Sequence, residues 1–245
     1  MIRSILRLTA FVVIILFVLS IILIYGSLPD VGALKTANPK STAFIELRKK
    51  QASQNNKKLR IRQRWVSFKS IPKLFRQSVR ISEDASFYKH EGVDFDELKE
   101  AIRRDLEDGR LSRGGSTITQ QLAKNLYLSE DKTFVRKIKE YLIARRLEKT
   151  LTKYRIYHLY LNVIEFGPGI FGVQAAANYY FRKHVSELSL DEIVRLAAVI
   201  PRPLQVNPTR NKGWLKWKAN WILKKLKKYN YISDEQFQFN KLVLE

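Results

Sequence analysis

Two glutamates, Glu83 and Glu140, stand among lysines, arginines and hydroxyl-bearing residues in a stretch that runs from Glu83 to Asn162. Ile81 precedes Glu83 and Phe87 follows it one turn later, so a helix ending here sets the carboxylate against apolar neighbours. Burial disfavours the charged form and moves a carboxyl pKa toward neutrality, which is what a general base needs near pH 7. Asp84 is expected to hold backbone or a basic partner. His90 is expected to be a hydrogen-bonded structural residue, the commoner fate of a lone histidine.

The second chemical feature is a set of groups suited to an anion. Gly114-Gly115-Ser116-Thr117-Ile118-Thr119-Gln120-Gln121 places two glycines before a hydroxyl-rich helix start, where free backbone N–H groups can bind an anion. The same spacing serves an ordinary N-cap, and spacing alone leaves both open. Lys124 shares a helix face with Gln120 and Gln121, aimed where a phosphate could sit. Arg136 and Glu140 are four apart, which by itself makes a surface ion pair. Together with Lys124, Lys132 and Lys137 they read as a cationic pocket holding one carboxylate. Such a pocket suits a pyrophosphate leaving group, whose developing charge Arg and Lys stabilise.

These groups need helices to position them, and the pattern after residue 66 is helical almost throughout. Asp94 with Glu97 reads as a capping box for a helix that stops near Gly109. Thr117 with Gln120 opens another to about Leu128, Phe134 to Leu151 is a long helix, and Ser189 with Glu192 opens one that Pro201 closes. Gly167-Pro168-Gly169 reads as a loop between helices. Before this region, Leu59 to Val66 alternates apolar and basic residues, a strand or extended lead-in, and Ala43 to Lys50 reads as a short helix. Near the end, Leu215, Ala219, Ile222, Leu226 and Tyr229 form a core-facing stripe. Trp214, Trp217 and Trp221 run beside it among seven lysines, a pattern that fits either a membrane interface or burial.

The chain has 245 residues and a formal net charge of +22, a field suited to phosphates, nucleic acid or acidic headgroups without choosing among them. It has no cysteine, which excludes disulfides and thiolate metal sites. Leu8 to Leu28 is uncharged and rich in Ile, Leu, Val and Phe, and as a helix it would span roughly 30 Å, the thickness of a hydrocarbon core. Arg3 and Arg7 before it place the N-terminus in the cytoplasm. A cleaved signal peptide would have a shorter apolar region and a small-x-small site, so an uncleaved anchor is expected. The expected organisation is an anchor at 1–28, a basic tether at 29–60 and one mainly α domain at 61–245.

Four segments, taken in order, resemble glycosyltransferase family 51, whose members join lipid II units into the glycan strands of peptidoglycan. They are E-D-x-x-F-x-x-H-x-G from Glu83 to Gly92, G-x-S-T-I-T-Q-Q from Gly114 to Gln121, R-K-x-x-E from Arg136 to Glu140, and K-x-x-I-x-x-x-Y-L-N from Lys153 to Asn162. Leu196 to Pro208 is also similar, so the resemblance covers residues 65–230. It implies a lysozyme-like catalytic fold of mainly α class behind a single transmembrane helix, on the outer face of the bacterial inner membrane. Glu83 would take the proton of the acceptor's 4-hydroxyl, whose oxygen attacks C1 of the lipid-linked donor with inversion, releasing undecaprenyl pyrophosphate. Glu140 would assist the donor side, through a divalent cation such as Mg or Mn; no organic cofactor is implied. Lys124, Arg136 and Lys137, with Lys132, would hold the pyrophosphate, while Ser116, Thr117, Gln121 and Asn125 would line the cleft. The implied partners are lipid II, the growing strand, membrane lipid and other cell-wall synthesis proteins, and not nucleic acid.

The chain departs from the family pattern at three places. Lys132 stands where some relatives have Arg, and a lysine cannot grip phosphate bidentately. His158 occupies the place of a usual Glu, and the final motif appears only as Lys218 to Leu226, so no binding residue is expected from it. Ser70, Ser86 and Ser129 each begin an S-x-x-K match, but no K-T-G or S-D-N accompanies them, so transpeptidase chemistry is not expected. The rival enzyme is a lysozyme-like lytic one that cuts glycan strands, for which a cationic pocket has no use. A non-catalytic polyanion-binding protein is the rival of another class, and it would have no need of a buried carboxylate.

Overall fold

The computed structural model describes residues 2–108, 115–131, 133–210 and 213–244. In chain order the helices and strands are α1 (Ile2–Gly26), α2 (Ala43–Gln54), β1 (Arg62–Gln63), α3 (Lys73–Glu83), α4 (Phe95–Asp108), α5 (Ile118–Tyr127), α6 (Phe134–Thr150) and α7 (Lys153–Val163). Then come β2 (Glu165–Gly167), β3 (Ile170–Phe171), α8 (Val173–Phe181), α9 (Leu190–Val199), α10 (Gly213–Lys228) and α11 (Asp234–Leu244). Among the described residues no helix is long and apolar enough to cross a membrane.

Local chemistry starts most of these helices where expected. Thr117 and Gln120 form a full capping box on α5, as Ser189 and Glu192 do on α9. The expected box on α4 forms only by half: Asp94 accepts from the Glu97 N–H, while the Glu97 carboxylate reaches Arg104 instead. A cationic neighbour on the same helix outcompetes a neutral backbone N–H for that carboxylate.

The core is built on α5, which packs against α2, α6 and α7, and on α9 and α10, which pack against α3. Tyr157 and Tyr160 of α7, Phe75 of α3 and Phe87 sit fully buried among the aliphatic side chains of these helices. Residues 29–60 do not hang free as a tether. Leu28, Val31 and Leu34 join the main core, and Arg146 and Arg155 donate to the carbonyls of Leu28, Leu34 and Ala37.

The Gly167-Pro168-Gly169 segment is a correction to the helix-linking loop expected there: it turns a small hairpin. β3 pairs antiparallel with β2 and parallel with β1, in the order β1-β3-β2. Gly169 has φ +73°, and a Cβ there would lie 2.7 Å from the Arg60 carbonyl. Gly172, at φ +80°, would bring a Cβ within 2.5 Å of the Asn162 carbonyl. Both positions therefore need glycine. The core-facing stripe along α10 also differs from expectation at one place, since Tyr229, just past the helix end, lies half-exposed beyond the packed residues Leu215, Ala219, Ile222 and Leu226. Trp217 points outward while Trp221 packs against the core and Trp214 lies under the Arg202 guanidinium at 4.6 Å.

Candidate active site

The end of α3 and the start of α5 are bolted together by Asp84. Its carboxylate accepts from the Ile118 N–H at 2.9 Å and from His90 Nε2 at 3.0 Å. A negative charge at a helix N-terminus meets the exposed N–H groups and the positive end of the dipole. Asp84 and His90 thus have the structural roles expected of them. Thr117 is buried, accepts from the Gln120 N–H and donates to the Gly92 carbonyl at 2.6 Å. Expected in the cleft lining, it has its hydroxyl engaged in holding the α5 cap.

With both ends held, Glu83 closes α3 and faces Gln121 on α5. Gln121 Nε2 donates to Glu83 Oε2 at 3.1 Å, and the buried Tyr160 hydroxyl donates to Gln121 Oε1 at 2.9 Å. Because a phenol that donates must meet the amide oxygen, Tyr160 fixes the amide so that its N–H₂ faces Glu83. Ser82 Oγ adds a third bond, to Glu83 Oε1 at 3.0 Å. Glu83 keeps an opening to solvent yet is densely surrounded. Desolvation pushes its carboxyl above the ordinary glutamate range, with Asp84 adding to the rise and Gln121, Lys218 and Ser82 opposing it.

Lys218 is the residue that sequence reasoning missed. It lies half-buried on α10 with Nζ 4.3 Å from the Trp221 ring centre, and Glu83 is the charge that acts on it. Burial lowers its pKa and the Glu83 carboxylate opposes that shift. Its sequence signal was the K-x-x-W pair, one helical turn apart, within a motif too degraded to assign.

The cationic half of the site comes from α6. Thr133 caps it by accepting from the Arg136 N–H, and the first two turns then present Arg136, Lys137 and Glu140. Glu140 is 3 % exposed and both its oxygens are taken, one by Arg136 Nη1 and one by Lys137 Nζ. Lys137 Nζ also reaches Ser116 Oγ at 3.2 Å, tying the loop before α5 to α6. Lys124 approaches the same group from α5, over the Phe44 ring at 5.6 Å; burial lowers its pKa, which the Glu140 charge opposes. It follows Gln121 by one helical turn, about 4.5 Å along the axis, so α5 joins the Glu83 end to the cationic end. Arg136 Nε is buried with no hydrogen-bond partner among the described residues. Lys132, expected in this group, lies outside the described residues, as does Gly114.

Beside Lys124 opens a cavity of about 250 Å³, lined among others by Gln121, Asn125, Arg48 and Glu165. Asn125 holds its place by donating to the Gln121 carbonyl at 2.8 Å. Arg48, on α2, grips Glu165 at 2.8 Å and Glu130 at 2.6 Å, making the wall of this cavity from three distant segments. No sequence signal marked Arg48 or Glu165. His158, the departure in the fourth motif, is placed structurally, between the Arg155 guanidinium at 3.1 Å and the Val66 carbonyl at 2.9 Å.

The donor set does not fit the divalent cation expected beside Glu140. A dication there would have to displace two cationic side chains already bound to that carboxylate. Asp84, His90 and Asp94 bring ligand atoms within 4.8 Å of one another. His90 Nδ1 accepts from the Gly92 N–H, however, so Nε2 carries the proton given to Asp84 and has no lone pair to offer.

A transglycosylase family profile matches residues 49–227. A biosynthetic peptidoglycan transglycosylase of Nitrosospira multiformis is 44% identical over 186 residues, covering 76% of this chain and 81% of that protein. Its counterpart in Chromobacterium violaceum is 41% identical over 189 residues, covering 77% of this chain and 83% of that protein. That of Herminiimonas arsenicoxydans is 36% identical over 197 residues, covering 80% and 85%. A crystal structure of penicillin-binding protein 1A from Haemophilus influenzae aligns 75% of this chain with 18% of its own, at TM-score 0.42 and 20% identity. The profile spans most of the chain and these relatives match over most of their length; the protein belongs to the transglycosylase family.

Proposed function

We propose that the protein polymerises lipid II into β-1,4-linked glycan strands of peptidoglycan, releasing undecaprenyl pyrophosphate. The observation that carries this reading is the pairing, along one face of α5, of a desolvated carboxylate with a cationic cluster that has a spare buried donor. Glu83 takes the proton from the acceptor's 4-hydroxyl. The freed oxygen pair attacks C1 of the donor sugar, and the C1–oxygen bond to pyrophosphate breaks on the opposite face, which inverts the anomeric centre. The electron pair ends on a pyrophosphate oxygen beside Lys124, Arg136 and Lys137, where the unpartnered Arg136 Nε offers a hydrogen bond. Glu140 acts here as the anchor that holds Arg136 and Lys137 in place, and no step is routed through a metal.

A lipid-linked substrate calls for a membrane beside the cleft, and two features support one. Leu8 to Leu28 is uncharged, which supports an N-terminal anchor with the catalytic domain on the outer face of the cytoplasmic membrane. Phe95, Leu98, Ile102 and Leu106 form an exposed apolar stripe along α4, with Phe134 and Val135 exposed at the start of α6. The Ser70 and Ser86 hydroxyls bond to Ser67 and Asp94, so the S-x-x-K matches at these two serines lend no support to a transpeptidase reading. The lytic reading gives no use for the cationic cluster.

The test is incubation of detergent-solubilised full-length protein with labelled lipid II, with and without Mg²⁺, followed by product sizing. Muramidase-sensitive polymer that is lost in Glu83→Gln is the expected result. Shortening of preformed strands with no polymer formed would overturn it in favour of a lytic enzyme.

A further inference from the structure

The alternating run Leu59 to Val66 has no part in the site above, and its geometry makes a second one. Side chains along an extended strand point to opposite sides in turn. Ile61, Gln63 and Trp65 face inward: Ile61 packs on Phe44, Ile45 and Phe171, and Gln63 donates to the Asn162 carbonyl at 3.0 Å. Arg60, Arg62 and Arg64 are therefore all turned outward, and all three are exposed. They line a hollow of about 430 Å³ whose other wall is α8, which contributes Tyr179, and the residue that ends it, Arg182. The Arg62 guanidinium lies over the Tyr179 ring at 5.4 Å, which holds it in place without neutralising it. No acidic side chain lines the hollow, and it shares no lining residue with the cavity beside Lys124. Among the described residues the arginine ion pairs are those of Arg48, Arg103, Arg104, Arg136, Arg145 and Arg195, and none involves these four.

We propose that the hollow between β1 and α8 is a phosphate-binding site, separate from the catalytic cleft, in which Arg60, Arg62, Arg64 and Arg182 converge on one multiply charged phosphate group. Four guanidinium groups on two facing walls offer paired N–H donors that match phosphate oxygens, and their summed charge favours a group carrying at least two negative charges in a small volume. The phosphate can come from an acidic membrane lipid headgroup or from a soluble phosphate compound.

The experiment titrates sodium pyrophosphate into the detergent-solubilised full-length protein by calorimetry and compares it with Arg62→Ala/Arg64→Ala/Arg182→Ala. The expected result is one fewer bound pyrophosphate in the triple variant, or more than about tenfold weaker binding at that site, with an unchanged melting temperature. Polymerisation of lipid II in detergent is expected to stay the same. Because the comparison counts one site lost, it holds whether or not the cleft itself takes pyrophosphate. Equal stoichiometry and affinity in the two proteins would overturn the proposal, as would displacement of pyrophosphate by an equal concentration of succinate. A second arm measures retention on phosphatidylcholine nanodiscs with and without phosphatidylglycerol. Retention that rises with phosphatidylglycerol in the parent and not in the triple variant assigns the lipid source, and no such difference assigns the soluble one.

Discussion

Replacing Glu83 by Gln separates the chemical role of this carboxylate from its structural one. The amide keeps the volume and one oxygen, so Gln121 Nε2 can still donate to position 83, while the new N–H₂ takes the place of the oxygen that met Ser82 and can donate to that hydroxyl instead. It cannot accept the acceptor's proton. General-base catalysis contributes typically about 10²–10⁴-fold, so the rate of polymerisation should fall by that factor, roughly 2.7–5.5 kcal/mol in the barrier. Stability should move the other way. The Glu83 pKa is raised in the folded protein by desolvation, so the folded state binds this proton more tightly than the unfolded state. Stability from such a group is fully present below the unfolded pKa and declines as pH rises through the folded one. At neutral pH and above, the buried charge is therefore a burden that the variant lacks. The variant should melt higher than the parent at pH 8, and the gap should narrow as pH falls through the raised folded pKa and close below the ordinary glutamate range. The assay is a lipid II polymerisation time course beside thermal melts across pH 4–9. A rate within tenfold of the parent would refute the base assignment, and a melting point below the parent's at pH 8 would refute the desolvation argument.

Four further outcomes follow from the same geometry. Lys124→Ala should weaken donor binding by about 10–100-fold, the worth of one charged hydrogen bond of roughly 1.5–3 kcal/mol, with little change in melting temperature; unchanged donor affinity would remove it from the pyrophosphate end. Tyr160→Phe removes the donor that orients Gln121 and should lower kcat more than it changes KM, with a stability loss of about 1 kcal/mol read by denaturant unfolding. An unaltered kcat there would show that the amide keeps its orientation without help. Leu122→Ala, at a fully buried position in α5, should lose about 2–5 kcal/mol of folding stability in the same measurement. Leu106→Glu, on the outermost part of the exposed α4 stripe, should reduce retention on lipid vesicles at constant melting temperature.

The chain itself determined the features whose causes are local. The caps at Thr117 and Ser189 need only a side chain and a backbone N–H three residues on, and both formed as read. The apolar flanks of Glu83 likewise announced a carboxylate with a raised pKa, and the spacing of Arg136, Lys137 and Glu140 announced their grouping, because one helix carries all three. Where a local group had two partners to choose from, only the folded neighbourhood decided: Glu97 left its box for Arg104, and Thr117 spent its hydroxyl on Gly92. The short strands around Gly167 were invisible because two or three residues acquire β geometry only from a partner, and β1 lies over a hundred positions before β3. Tyr160 orienting Gln121, Lys218 facing Glu83 and Arg48 gripping Glu165 each join segments 39 residues apart or more. No periodicity records such pairs. They arise when helices pack and bury polar groups that must then find one another, so residue types and helix faces were legible in the sequence while the orientation of the Glu83 carboxylate and its partners was settled only by tertiary packing.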